Sequence, residues 1–290
     1  MFSVPARLAA AAAVFFALAG VAWAGDPDPG VARATAFGGS CQGCTLSGRK
    51  LTGATFAGGD FTRALLIGAD LRGASFTGAS FQGANFSRAD LRSSSLLSVN
   101  FSGATFTDAR LDGLEGAGAV FVGANFKHAQ LSSAELLGAN FTRAILTEAR
   151  LASAELVASN LSEVDARHAD FHEADLTGSR LVNGRFQEAS FRGATLTSAD
   201  LSHGQFAGAD FHDADLEGAK LYGADLGGAR GLTQSQVEEA CGDGATRLPA
   251  GLSASRSCHG PLALHIRLPI PPAPPPPPPS PVSAHHRGGN

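Results

Sequence analysis

The sequence predicts an all-β repeat solenoid closed by a short helix, and three observations carry that prediction. From Leu46 to Leu226, every fifth residue is Leu or Phe; of 37 positions, 20 are Leu and 15 are Phe, and only Gly116 and Ala166 break the series. Two residues before these positions the side chain is nearly always small, and 26 of the 37 are Ala. A period of five fits neither the 3.6 of an α-helix nor the 2.0 of a strand, so the backbone must turn a corner every five residues. The chain also holds 19 Phe against one Trp, one Tyr and one Met, which suits a core made of copies of one slot.

Residues 1–24 have the pattern of a secretory signal peptide. Met1 to Arg7 gives a short positive start, Leu8 to Val21 an apolar run, and Ala22-Trp23-Ala24 a small-x-small cleavage pattern. The apolar run is too short to span a bilayer comfortably, so no stable membrane anchor is expected. Removing this segment takes away Arg7 and no acid, leaving 21 basic and 26 acidic residues, net −5. An exported, mildly acidic chain in the periplasm or outside a bacterial cell is expected. That charge does not favour nucleic acid or an anionic membrane.

Residues 25–40 read as a flexible lead-in. The repeat region, residues 41–230, contains runs such as Ala69-Asp70-Leu71-Arg72-Gly73, Ala84-Asn85-Phe86-Ser87-Arg88 and Ala224-Asp225-Leu226-Gly227-Gly228. These resemble the unit of the pentapeptide repeat family: a small residue, Asp or Asn, Leu or Phe, Ser, Thr or Arg, then Gly. The resemblance covers about 185 residues. It implies a right-handed quadrilateral β-helix with four pentapeptides per coil. Coils stacked about 4.8 Å apart then give about nine coils in a rod of roughly 45 Å. At the two breaks the preceding small slot holds Leu114 and Val164, so large and small inward residues have exchanged places with little change in volume.

Beyond Arg230 the period stops. Thr233 as N-cap, Gln236 completing a capping box, and Leu232 and Val237 as a hydrophobic staple predict a helix that Gly242 ends. Residues 231–260 are therefore expected to form a helical cap over the last coil and its open edge. Residues 261–290, with Pro274 to Pro279 unbroken, read as a disordered Pro-rich tail.

Four cysteines flank the repeats, an even count consistent with two disulfides in an oxidising compartment. Four cysteines allow three connectivities. Cys41–Cys44 and Cys241–Cys258 suit a rod whose ends are far apart; the second would close a loop of about 17 residues, worth roughly 3 kcal/mol. Cys41-Gln42-Gly43-Cys44 also has the spacing of a thiol–disulfide exchange motif. Nothing around it supplies the helix N-terminus that lowers a thiol pKa, so a structural staple is the expectation.

Sorting outward positions by twenties places Glu115, Glu135, Glu155, Asp175, Thr195 and Asp215 in one column, the longest run of one sign on any face. It reads either as a solvated ridge or as an acidic ladder that engages a basic protein surface. His168, Asp170, His172, Glu173 and Asp175, with His203, Asp210, His212 and Asp213, are candidate metal ligands by residue type. Stacking would hold His172 and His212 about 9.6 Å apart, too far to share an ion. The tail histidines, His265, His285 and His286, offer only weak adventitious binding, and neither a metal nor a cofactor is expected. No nucleophile–base order, phosphate loop or zinc spacing is present, and glycine after the central slot is turn chemistry.

The sequence therefore predicts a non-enzymatic scaffold or protein-binding rod, its partner unidentified and its oligomeric state open, with end-to-end dimerisation if the caps are incomplete. The resemblance also implies an alternative. Well-understood family members mimic B-form DNA and regulate DNA gyrase, a role that the signal peptide and the one-sided acidic column set second. A thiol–disulfide oxidoreductase built on Cys41 and Cys44 ranks third.

Overall fold

In the computed structural model, residues 36–37 and 39–254 are described, all within one unit of the chain, Ala34–Asn290. The signal segment, most of the lead-in, the tail and Cys258 lie outside the described residues.

Each pentapeptide solves a hydrogen-bond problem. Around Phe86, Ala84 N–H donates to Phe81 O (3.1 Å) and closes a tight turn. Asn85 N–H reaches back to Ala64 O (2.9 Å), while Phe86 and Arg88 N–H reach forward to Thr105 O (2.7 Å) and Thr107 O (2.9 Å). The fifth amide, Ser87 N–H, has no backbone acceptor and donates instead to Asn85 Oδ1 at 2.9 Å. All five donors are thereby paired, as a tightly wound backbone requires.

This pattern repeats along the chain and sets the register. Residues twenty apart pair in parallel, from Ser40↔Asp60 through Asp210↔Arg230, so four pentapeptides make one coil of a β-helix. Each wall contributes one pairing residue per coil before the chain turns again, so the ladders are runs of single bridges and not long strands.

The turn fixes a second rule. From Leu46 to Leu221 the residue two after the central slot has a positive φ, and nearly all these corners are closed by an i+3→i hydrogen bond, the signature of a type II turn. Glycine fills many of these positions, but 19 non-glycine residues do too, including Arg88, His128, Glu148 and Ala158. An L-residue there costs about 1–2 kcal/mol, which glycine avoids at some cost in chain entropy. Ala158 is exposed with φ 55°, and Ala158→Gly is expected to stabilise the protein by about 0.5–1 kcal/mol, read as a raised thermal midpoint.

The central and small slots line the interior. From Ala54 to Leu226 the central residues are essentially inaccessible, and the phenylalanines stack coil upon coil: Phe61, Phe81, Phe101, Phe121 and Phe141 form one pile with ring centroids 4.8–5.5 Å apart. The exchange inferred at the two breaks is present. Leu114 and Val164 are buried, and a Cβ added at Gly116 would lie 3.1 Å from Leu114 Cδ1 and 2.8 Å from Leu136 Cδ2.

At the C-terminal end, α1 (Gln234–Glu239) has the expected capping box: Gln236 N–H donates to Thr233 Oγ1, and Thr233 N–H donates to Gln236 Oε1. Gln236 Nε2 also donates to Phe211 O (3.0 Å) and Ala214 O (2.8 Å), carbonyls at the edge of the last regular coil. The helix does not run to Gly242. It ends at Ala240, whose backbone is extended, because Cys241 re-enters the ladder opposite Lys220 and exchanges bonds with Ala219 O and Leu221 N–H. Inter-coil pairing overrides the helix-ending preference of the glycine.

Candidate functional site

The outward walls carry the candidate residues. The amides left over at each corner decide how the carboxylates are used. Asp or Asn before the central slot reaches the N–H two residues on: Asp70 to Arg72, Asn100 to Ser102, Asn140 to Thr142 and Asp175 to Thr177 are examples. Where Arg follows the central slot, its guanidinium adds a fork to the same carboxylate. Arg72 Nε and Nη2 lie 2.8 and 2.7 Å from Asp70, and Arg92–Asp90 and Arg167–Asp165 repeat the arrangement. The Arg72 side chain holds the Asp70 carboxyl down at about 2, and Arg92 and Arg167 lower Asp90 and Asp165 in the same way.

These shifts give an acid limit. A carboxyl whose folded pKa lies below its unfolded value stabilises the fold fully above the unfolded value and loses that contribution as pH falls through the folded one. The thermal midpoint is therefore expected to hold from pH 7 to 5 and to fall between pH 4 and about 2. Asp70→Asn with Asp90→Asn should make that fall shallower in a calorimetric pH series.

The acidic column is assembled as its spacing predicts: Glu115, Glu135, Glu155, Asp175, Thr195 and Asp215 pair in succession. The two aspartates differ from the glutamates. Asp175 accepts from Thr177 N–H and Oγ1, and Asp215 from Glu217 N–H and Thr197 Oγ1. Glu115, Glu135 and Glu155 are exposed and have neither an ion pair nor a side-chain hydrogen bond among the described residues. One extra methylene removes the turn-capping geometry and leaves three successive carboxylates in water.

Beside them runs a column the sequence reading did not isolate. Leu97, Ala117, Leu137 and Val157 occupy the position after the central slot on the same wall, with Leu97 41% and Leu137 43% exposed. Its signal in the sequence is the twenty-residue spacing of Leu97, Ala117, Leu137 and Val157.

The histidines stay dispersed. Among the described residues no group of three or more His, Cys, Asp or Glu is arranged to hold a metal ion. His172 lies by Glu173 (3.5 Å), and His212 bonds Asp210. His203 and His168 each line a solvent-open concavity, the first with Gln187, Gln205, Asp225 and Arg247, the second with Glu148, Arg150 and Asp170. His128, not singled out by sequence, sits between Asp108 (Nδ1, 3.2 Å) and Glu148 (Nε2, 3.3 Å). Its opposite ring nitrogens face different carboxylates, so the three cannot converge on one ion.

Cys41 and Cys44 lie at disulfide distance with Cα atoms 5.4 Å apart, bridging the corner closed by Cys44 N–H to Cys41 O. No helix lies there; α1 is the only helix among the described residues. Cys241 is buried at the far end, and its expected partner, Cys258, lies outside the described residues.

A coil of four five-residue corners, with Leu or Phe inward and Asx-capped turns, defines a solenoid of the pentapeptide class. The family model for pentapeptide repeats matches eight copies between residues 40 and 228, and the chain belongs to that family. No curated protein matches. Among solved structures, the chain is similar to HetL, a pentapeptide repeat protein involved in heterocyst differentiation regulation from the cyanobacterium Nostoc sp. strain PCC 7120. The two are 28% identical over 74% of this chain and 92% of HetL, with a TM-score of 0.64. QnrB1, a plasmid-mediated fluoroquinolone resistance protein, is 21% identical over 71% of this chain and 92% of its own, with a TM-score of 0.35. A pentapeptide repeat protein of the Arabidopsis thaliana thylakoid lumen is 32% identical over 32% of this chain and 66% of its own, with a TM-score of 0.20.

Proposed function

We propose that the protein is an exported, non-enzymatic rod of about nine right-handed coils, capped by α1, that holds a partner protein on its acidic column. The observation that carries this reading is the run Glu115, Glu135 and Glu155, whose carboxylates are exposed and engaged by nothing else in the fold. Elsewhere Asp side chains are used to cap turns or to pair with Arg, so the fold has a use for most of its acids but not for these. Export rests on the sequence pattern of residues 1–24, and the cysteines at the ends of the rod suit an oxidising compartment. Family membership supports a binding or structural role.

The test is a pull-down from envelope extracts with the purified protein and with Glu115→Ala, Glu135→Ala and Glu155→Ala combined. Loss of a captured partner in the triple variant supports the reading; an unchanged partner set overturns it. Cell fractionation separates it from the gyrase-regulator alternative, which requires an uncleaved chain in the cytoplasm. Thiol labelling of the native protein addresses the oxidoreductase reading, which requires Cys41 and Cys44 to be reducible and to reduce a disulfide substrate in turn.

A further inference from the structure

Resting on that binding role, we infer that the occupant of this wall is an amphipathic α-helix of a partner protein, its apolar stripe flanked by Lys or Arg, lying along the rod axis. Two columns make the seat. Glu115, Glu135 and Glu155 precede the inward residues Gly116, Leu136 and Leu156; Ala117, Leu137 and Val157 follow them, and Leu97 extends the apolar column by one coil. Residues on either side of an inward side chain point out of the same face, about 6.6 Å apart along the strand. The wall is therefore a strip with carboxylates on one edge and, on the other, the exposed Leu97, Ala117 and Leu137 followed by the half-buried Val157.

The strip is unobstructed. The corner beyond the apolar column is Ser98, Gly118, Gly138 and Ala158, and a Cβ added at Gly118 or Gly138 would meet nothing within 4 Å. The corner on the acidic side is Gly113, Ser133 and Ser153, equally short. Its ends are also defined. Towards the C-terminus the apolar column gives way to Thr177 and Thr197, and the carboxylates of Asp175 and Asp215 are taken up by local donors. Four coils remain, from Leu97 to Val157, spanning about 14 Å at the spacing of neighbouring strands.

That length and pitch suit a helix. Apolar residues at i, i+3 or i+4, i+7 and i+11 advance about 5.4 Å per turn and cover about 16 Å, so four successive positions stay within side-chain reach of four coils. Lysines or arginines beside the stripe fall over the glutamates, and the carboxylates repel an anionic lipid surface. A second copy of this chain does not fit among its described walls. The column with most cations, Lys50, Arg110, Arg150 and Arg230, also carries Asp70, Asp90, Asp170 and Asp210, and its stretch free of acids, Arg110 to Arg150, is bordered by Asp112, Ser132 and Ala152, which offer no large apolar side chain.

The test uses the full chain and three synthetic peptides in a fluorescence anisotropy titration: a Leu/Lys helix with a single apolar stripe, a scrambled peptide of the same composition, and the stripe peptide with Glu in place of Lys. The stripe peptide is expected to bind at least tenfold more tightly than either of the others. Leu97→Ser with Leu137→Ser, and separately Glu115→Gln with Glu135→Gln and Glu155→Gln, should each weaken it at least tenfold, with circular dichroism unchanged. Leu65→Ser with Ile145→Ser, which removes the other two large exposed hydrophobics, on a different wall, should leave it unaltered. Equal binding of the scrambled peptide, or indifference to the leucine pair, overturns the helix inference and leaves the acidic column standing as a charge-only site. Indifference to the glutamate triple overturns the inference too, and the pull-down then decides whether the column binds anything.

Discussion

Phe101→Ala is expected to cost about 3–5 kcal/mol. Phe101 is fully buried in the longest aromatic pile, parallel to Phe121 (5.5 Å, 5°) and near-parallel to Phe81 (5.5 Å, 25°), with Phe106 edge-on at 5.2 Å. Truncation leaves a void that the neighbours cannot fill, because each is held at its own corner by four inter-coil or turn hydrogen bonds per pentapeptide. Since a solenoid coil touches only the coils beside it, the damage also weakens the junction through which the two halves stabilise each other. Phe101→Leu separates volume from ring stacking. Leu fills the central slot of the two preceding pentapeptides, at Leu91 and Leu96, where it is fully buried in the same interior, so this change should cost less than about 1.5 kcal/mol. Denaturant titrations of both variants check the pair. If leucine proves as damaging as alanine, stacking and not filling holds the pile together.

The five-residue beat was enough to read the slot order, because inward positions tolerate only a narrow range of volumes and the sequence records that limit directly. Leu114 and Val164 could be recognised as exchanged partners of Gly116 and Ala166 for the same reason, and Thr233 with Gln236 as a helix start because a capping box is local in sequence. The use of the outward carboxylates was not legible. Sorting by twenties placed Glu115 and Asp175 in one column, but it treats them as equal charges. Whether an oxygen faces water or its own backbone depends on one methylene and on the turn dihedrals, and neither shows in a charge pattern. One signal was available: Asn fills the same slot as Asp, at Asn85, Asn100, Asn125, Asn140 and Asn160, which a ladder of charge does not explain and a shared Oδ1 acceptor does. The helix end was misjudged for a related reason. Gly242 is a local signal, whereas the bonds that draw Cys241 back to Ala219 and Leu221 come from residues about twenty positions away.

Gly116 and Leu114 should behave as one unit, and a double-mutant cycle measures it. Gly116→Leu alone places a large side chain where even a Cβ would press on Leu136 and Leu114, and overpacking of this kind costs about 1–3 kcal/mol or more. Leu114→Ala alone opens a cavity in the same layer, at about 2–5 kcal/mol. Gly116 lies outside the positive-φ region, so leucine meets no backbone strain there. With both changes the layer regains the order found in the other coils, small at 114 and large at 116, and total stability should return to within about 1.5 kcal/mol of the parent. The coupling between the two sites is then several kcal/mol and favourable, far outside the range of independent positions. Simple additivity, with the double variant as damaged as the sum of the singles, would show that Leu114 does not occupy the space of the missing central residue. The break in the repeat would then be a local defect, no longer a volume-conserving exchange.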